Sequence, residues 1–254
     1  MLAAGVAQPS RQARAMYRSL GSSVFEFLWM ALRGRRALAG VRIEDGSRAP
    51  WEQALADGRG VVVAASHTGN WDLSACAIAR DVELLVVTKR LSAAWLDRFW
   101  QSTRARLGVR LTDAAGALGR AREMLRRGGA VAMMIDQVPA ASHAIPVTFL
   151  GQPAHADRSP AVVAATAGVP LVLAASRRDA SGGHVLHVLA VLTPPPHRTR
   201  AWIDEATRRA TRELERFVLQ YPDQWLWMHR RWKPMLAAPC RTPSSSQAAA
   251  SRAA

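Results

Sequence analysis

Short, nearly continuous apolar runs rich in branched side chains recur along the chain, each followed by a stretch with helical periodicity. They are GVVVAAS (Gly60–Ser66), ELLVVT (Glu83–Thr88), AVAMMI (Ala130–Ile135) and PLVLAAS (Pro170–Ser176). A strand that is apolar on both faces must be buried on both faces, which is the situation in a parallel sheet covered by helical crossovers. The intervening segments near Trp71–Ala79, Ser92–Leu107 and Ala115–Arg127 read as those helices. The pattern predicts an α/β fold with a central, mostly parallel sheet flanked by helices. HVLHVLAVL (His184–Leu192) adds a strand near an edge. The 254 residues suit one sizeable core, and hence a single domain. The uncharged stretch Ser159–Ser176 reaches the length of a membrane-span candidate, but Gly168 and Pro170 interrupt it. It is predicted as a helix followed by a strand.

Ahead of the first strand, Ala13, Tyr17, Leu20, Val24, Leu28 and Ala31 recur at steps of three and four, forming one apolar face of a helix. Arginines gather at both ends: Arg11, Arg14 and Arg18, then Arg33, Arg35 and Arg36. Such an amphipathic helix can lie on an anionic membrane surface, or pack on the core with its charges solvated. No secretory signal is read in Met1–Ala15. The organisation predicted is therefore an amphipathic N-terminal helix over residues 1–36, an α/β domain over 37–236 and a disordered Ser/Ala/Pro-rich tail over 237–254. Asp204–Tyr221 reads as a further helix with Ala206, Ala210, Phe217 and Tyr221 inward and Asp204/Arg208 and Glu205/Arg209 at i,i+4.

The formal net charge of +15, carried almost entirely by arginine, calls for an anionic partner: acidic lipid, nucleic acid, or a phosphorylated or carboxylated substrate. The guanidinium fork suits phosphate and carboxylate. Nucleic acid is the competing class, suggested by charge and by the cluster His229, Arg230, Arg231 and Lys233 among Trp225, Trp227 and Trp232. That mix also suits a membrane interface or a set of tryptophans closing the core. No zinc spacing or nucleic-acid recognition motif accompanies it, so no nucleic-acid partner is expected. His184 and His187 fall on opposite faces of their strand, and Cys76 and Cys240 form no metal or disulfide framework, so no metal is expected.

VVVAASHTGNWDL sets His67 just past a strand, Gly69 and Asn70 in a turn, and Asp72 at the start of the next helix. Ligands of α/β sheets bind at the carboxyl ends of strands. There His67 could act as a general base on a hydroxyl, with Asp72 orienting the ring and helix N–H groups stabilising an oxyanion. The plainer alternative leaves Asp72 as a helix cap and His67 as a turn residue.

SHTGNWD resembles the H-x-x-x-x-D motif of lipid acyltransferases, and its G-N-W-D ending resembles the Kdo2-lipid A lauroyl/myristoyl acyltransferase family. In chain order, VVTKRLSAAWLDRFWQSTRARLG, LRRGGAVAMMIDQVP, VTFLGQPAHADRSPAVVAATAGVPLV and WLWMHRRWKP resemble further segments of that family, over roughly Gly21–Pro234. Arg104 matches the family's important arginine and Asp136 its functional acid. Departures are Ser66, where many relatives have Asn, and an amphipathic helix where relatives carry a longer membrane anchor. The resemblance implies a glycerol-3-phosphate acyltransferase-like fold and catalysis by His67 and Asp72. It implies substrate contacts from Thr68, Gly69, Asn70, Trp71, Lys89, Arg104, Asp136, Gln137, Arg158, His229, Arg230 and Arg231. It further implies no cofactor, with acyl carrier protein (or acyl-CoA) as donor and partner. The acceptor would be an anionic lipid, a lipid A precursor or related glycolipid, with a glycerophospholipid or mannosylated lipid as the alternative. The site of action would be the cytoplasmic face of the inner membrane, held peripherally.

Overall fold

The computed structural model describes residues 1–229, 231 and 232. Arg230, Lys233, Cys240 and the tail expected to be disordered lie outside the described residues. The chain runs α1 (Pro9–Arg33), β1 (Val41–Ile43), α2 (Asp45–Leu55), β2 (Val61–Ala65), α3 (Trp71–Ile78), β3 (Leu84–Val87), α4 (Ala94–Arg106), β4 (Val109–Thr112), α5 (Ala117–Arg126) and β5 (Ala130–Met134). A hairpin of β6 (Ala144–Phe149) and β7 (Gln152–Asp157) follows, then α6 (Ser159–Ala167), β8 (Leu171–Arg178), β9 (His184–Leu192) and α7 (Arg200–Gln220).

Seven strands form one sheet in the order β1-β9-β8-β2-β5-β3-β4. All its pairings are parallel except β8 with β9. The expected buried strands are its centre: Val61, Val62, Leu171, Val172, Ala130 and Val131 are at most 1% exposed. Two apolar clusters cover the two faces. One joins β2, β5 and β8 to α5, α6 and α7; the other joins Phe27 and Met30 of α1 to α3 and to strand residues such as Val61, Val63 and Leu84. Side chains alternate across a strand, so Val62 lies in the first cluster and Val61 and Val63 in the second.

The stretch Ser159–Ser176 divides as expected: α6 ends at Gly168, whose φ of 66° is the left-handed cap that glycine accommodates, and Pro170 precedes β8. β9 sits one place in from the edge, because β1, a strand too short to show in the pattern, pairs outside it. The charges of α7 pair differently from the expected i,i+4 couples. Arg200 bonds Asp204, Arg212 bonds Glu205 two turns away, and Arg209 and Arg216 share Glu213.

Helix α1 also turns a different face inward. Met16, Ser23, Phe27 and Met30 are buried, whereas Tyr17, Val24 and Leu28 of the periodic apolar stripe are 58%, 44% and 43% exposed. Phe25, Trp29 and Leu32 are exposed beside them. The helix therefore packs on the core and still presents an apolar surface outward. Among the described residues no helix is long and apolar enough to cross a membrane.

Candidate active site

β2 and β5 are neighbours in parallel register, with Ala65 opposite Met134. The residues two beyond each strand end, His67 and Asp136, are thereby brought side by side at the carboxyl edge of the sheet. The His67 ring pairs through Nδ1 with Oδ1 of Asp136 at 2.8 Å, and its backbone N–H donates to Oδ2 at 2.8 Å. The Trp225 indole N–H donates to the same Oδ2 at 3.0 Å. Asp136 is 0% exposed and Trp225 likewise. Burial alone pushes the Asp136 carboxyl up, but the His67 charge, its two hydrogen bonds and the nearby His229 prevail and hold it at about 2. Asp136 is thus a carboxylate, and an ionised acceptor at Nδ1 keeps the ring proton there and leaves Nε2 for a substrate.

This corrects the expectation that Asp72 orients the ring. The Asp72 carboxylate is occupied elsewhere: Arg104 donates from Nε at 2.7 Å and approaches with a second nitrogen at 2.5 Å, and the Trp100 indole donates at 3.1 Å. Burial pushes the Asp72 carboxyl up, and Arg104 opposes it. The physical reason is local. Asp72 lies in the first turn of α3, and its side chain points into the α3–α4 interface, where Arg104 and Trp100 wait one helix away. Arg104 is correspondingly committed: its side chain is 12% exposed and its fork is spent on Asp72, with Thr88 at 3.4 Å. A bidentate substrate contact, as expected for it, is not the contact it makes.

The other expected site residues separate into those near His67 and those that are structural or distant. Trp71 and His229 lie edge-on to the His67 ring, with centroids 4.9 and 4.5 Å away. Burial and the neighbouring His67 charge lower the His229 ring, which favours its neutral form. Thr68 is fully buried and its hydroxyl accepts from Ser176 N–H at 3.0 Å. Gly69 has φ +56° and approaches Ser176 so closely that a Cβ would lie 2.8 Å from its carbonyl oxygen, so only glycine fits. Asn70 is 3% exposed and caps α3, accepting the Leu73 N–H at 3.1 Å. Arg231 is 1% exposed and donates to the Gln137 carbonyl at 2.7 Å, while Gln137 itself is exposed. Lys89 is exposed, and Arg158 donates to the Ser142 carbonyl. The tryptophans of the last segment serve the core. Trp225 holds Asp136, Trp227 donates to Pro222 and Trp232 to Phe149. Trp100, Glu26 and Arg178 are contacts that sequence reasoning missed; a lone carboxylate in the apolar run SSVFEFLWM was the available signal for Glu26.

A crevice beside His67 is lined by Met16, Ser19 and Leu20 of α1 together with Trp71, Gln224 and Leu226. A larger cleft of about 640 Å³ between β6 and α7 contains none of the site residues. His67, Asp136 and His229 offer atoms within 4.8 Å of one another, a spacing a metal ion could bridge. The Asp136 oxygens, however, already accept three hydrogen bonds. Cys76 is buried and its thiol is pushed up to about 12, which makes it a poor nucleophile.

A histidine held by a buried carboxylate at the carboxyl edge of a parallel sheet, beside a helix N-terminus, is suited to take a proton from a hydroxyl. The model of the bacterial lipid A biosynthesis acyltransferase family matches residues 5–234, from before α1 to beyond Trp232. The chain belongs to that family, and is an acyltransferase at that level. Comparison with curated proteins returned no match.

Proposed function

We propose that the protein moves a fatty acyl chain from acyl carrier protein, or another acyl thioester, to a hydroxyl of a lipid A precursor or related glycolipid. His67 Nε2 takes the proton as the acceptor hydroxyl oxygen attacks the thioester carbonyl. The tetrahedral oxyanion collapses, the C–S bond breaks, and the departing thiolate receives the proton from the imidazolium. The products are an ester and a free thiol. A thioester is already activated, so no enzyme nucleophile is needed, in keeping with the inert Cys76. Asp136 stabilises the imidazolium, and the N–H groups at the start of α3 are suited to the oxyanion. Asp72 and Arg104 support the α3 end of the loop. The observation that carries this reading is the His67 Nδ1–Asp136 contact at 2.8 Å within a chain of this family.

Action at the cytoplasmic face of the inner membrane, with the protein held peripherally, is supported by the exposed apolar stripe of α1 and the net charge of +15. Two measurements test the whole. Purified protein is given acyl-acyl carrier protein and extracted lipids, and lipids from cells with and without the gene are compared by mass spectrometry. One added acyl group on a glycolipid class is expected. A folded protein that acylates no lipid, in cells whose lipids are unchanged by its loss, would sink the proposal.

A further inference from the structure

The turn between His67 and Asp72 is bonded at Thr68 and Gly69 to Ser176 of β8 and to Gln224, and helix α1 braces it further along. Glu26 of α1 accepts from the Asn70 side-chain amide at 2.8 Å through Oε2. The same carboxylate receives Arg178 of β8 at 2.9 and 2.8 Å, and His184 Nε2 lies 3.1 Å from it. Arg178 also reaches Ser19 and Ser23 of α1, and the Ser23 hydroxyl contacts the Gly69 carbonyl at 3.4 Å. Next along α1, Phe27 stacks on Trp100 at 3.9 Å, and Trp100 donates to Asp72. Consecutive residues of one helix therefore brace both ends of the segment that follows His67.

Asn70 shows why the carboxylate matters. Its amide must present oxygen to the Leu73 N–H, or α3 loses its cap, and its NH2 must then point to α1. A carboxylate at 2.8 Å accepts only, so it enforces that orientation. We infer that Glu26 is a positioning residue for acyl transfer, fixing the His67–Asp72 loop through the Asn70 amide. Helix α1 is then part of the catalytic framework as well as an apolar surface. The inference rests on the acyl-transfer reading.

The test reverses the polarity of the contact. Asn70→Asp sets two carboxylates against each other, and the loop must open. A displacement of about 1 Å near reacting atoms costs up to roughly a hundredfold. The expected fall in kcat is about tenfold to a hundredfold, with KM for acyl-acyl carrier protein nearly unchanged. Adding Glu26→Gln restores a donor facing an acceptor, and the carboxylate introduced by Asn70→Asp can still cap α3. The double variant should recover most of the lost kcat, incompletely because Arg178 loses part of its acceptor. Glu26→Asp, too short to hold Asn70 and Arg178 together, should also lower kcat without moving KM, and serves if Asn70→Asp does not fold. Rates are taken per folded molecule, with circular dichroism and Tm measured on each variant. Wild-type kcat in folded Asn70→Asp or Glu26→Asp overturns the inference, as does a folded double variant no faster than Asn70→Asp. If the wild-type protein transfers no acyl group, the functional reading has failed instead.

Discussion

Replacing Asp136 by Asn separates the roles of the two carboxylates, because the structure dictates how an amide must sit there. Oδ2 of Asp136 receives two donors, the His67 backbone N–H at 2.8 Å and the Trp225 indole at 3.0 Å. Both are buried, and neither can turn into an acceptor. The amide oxygen of the substituted side chain must occupy that position, which places its NH2 against His67 Nδ1, where the carboxylate had been at 2.8 Å. Nδ1 then accepts, the ring proton moves to Nε2, and the base faces the acceptor hydroxyl with its proton already on. The wrong tautomer in a histidine–aspartate pair costs on the order of 10⁴-fold in kcat, equivalent to about 5 kcal/mol of barrier. Asp136→Asn should therefore lose roughly that much in acyl transfer while remaining folded, since all three hydrogen bonds survive with one reversed. Asp72→Asn should behave oppositely. It leaves Arg104 buried without its counter-charge, a loss of about 3–5 kcal/mol of stability. Its Tm should fall, and its activity should fall largely with it. The assay is steady-state acyl transfer beside thermal unfolding of both variants. If Asp136→Asn retains kcat within about tenfold of wild type, or if Asp72→Asn loses kcat as deeply at unchanged Tm, the assignment of Asp136 to the ring is refuted.

His67→Ala should lower turnover roughly a hundredfold or more, and His67→Ala/Asp136→Asn should be little worse, because the two act as one unit; additive losses in the double variant would contradict this. Arg104→Lys keeps the charge but cannot reproduce two nitrogens on Asp72, so Tm and kcat should fall together; a raised KM at unchanged Tm would instead mark a substrate contact. Phe25, Trp29 and Leu32 are 73%, 53% and 82% exposed, so a triple change to Ser should barely move Tm yet weaken binding to anionic vesicles roughly a hundredfold, with wild-type binding also falling as salt rises. Unchanged vesicle affinity would remove α1 from the membrane surface. Glu26 and Asp136 are both held at about 2, below their unfolded values, so their stabilisation is fully present above pH ~5 and is lost as pH falls toward ~2, roughly 3 kcal/mol for Glu26 and roughly 2 kcal/mol for Asp136. Urea unfolding across that range should show Glu26→Gln losing stability less steeply than wild type, and equal slopes would count against the Glu26 ion pairs.

The central sheet was legible because its cause is local. A run such as GVVVAAS can be buried on both faces in only a few ways, and the bounds expected for β2, β3, β5 and β9 agree with those found to within a residue or so at each end. β1, β4, α2 and the β6–β7 hairpin escaped, being short or carrying polar residues whose burial depends on neighbours distant in sequence. Helix α1 was legible as a helix but not in its orientation. Its periodic stripe of Tyr17, Val24 and Leu28 looks like a core face, yet Phe27 and Met30 fill the core instead. Periodicity reports that an apolar face exists, and what covers it is decided by the rest of the fold.

The site itself shows where a linear reading runs out. Two acids stood out in the sequence: Asp72 in the same motif, read as the partner of His67, and Asp136 far along the chain, read as a substrate contact. Nearness in sequence favours Asp72, because a short loop between strand and helix suggests contact. A helix start, however, directs side chains around its axis, and the one at Asp72 faces α4 and Arg104. Contact with Asp136 depends on a different regularity. Parallel strands in register carry their ends forward together, so the pairing of Ala65 with Met134 brings the residues two beyond each, His67 and Asp136, to one place. Each strand was readable from its own residues, and each ended in a polar residue that stood out against the apolar run before it. The missing fact was adjacency, since β3, β4 and their helices lie between β2 and β5 in the chain but not in the sheet. Had the strand order been known, counting two residues past each paired end would have selected Asp136 over Asp72.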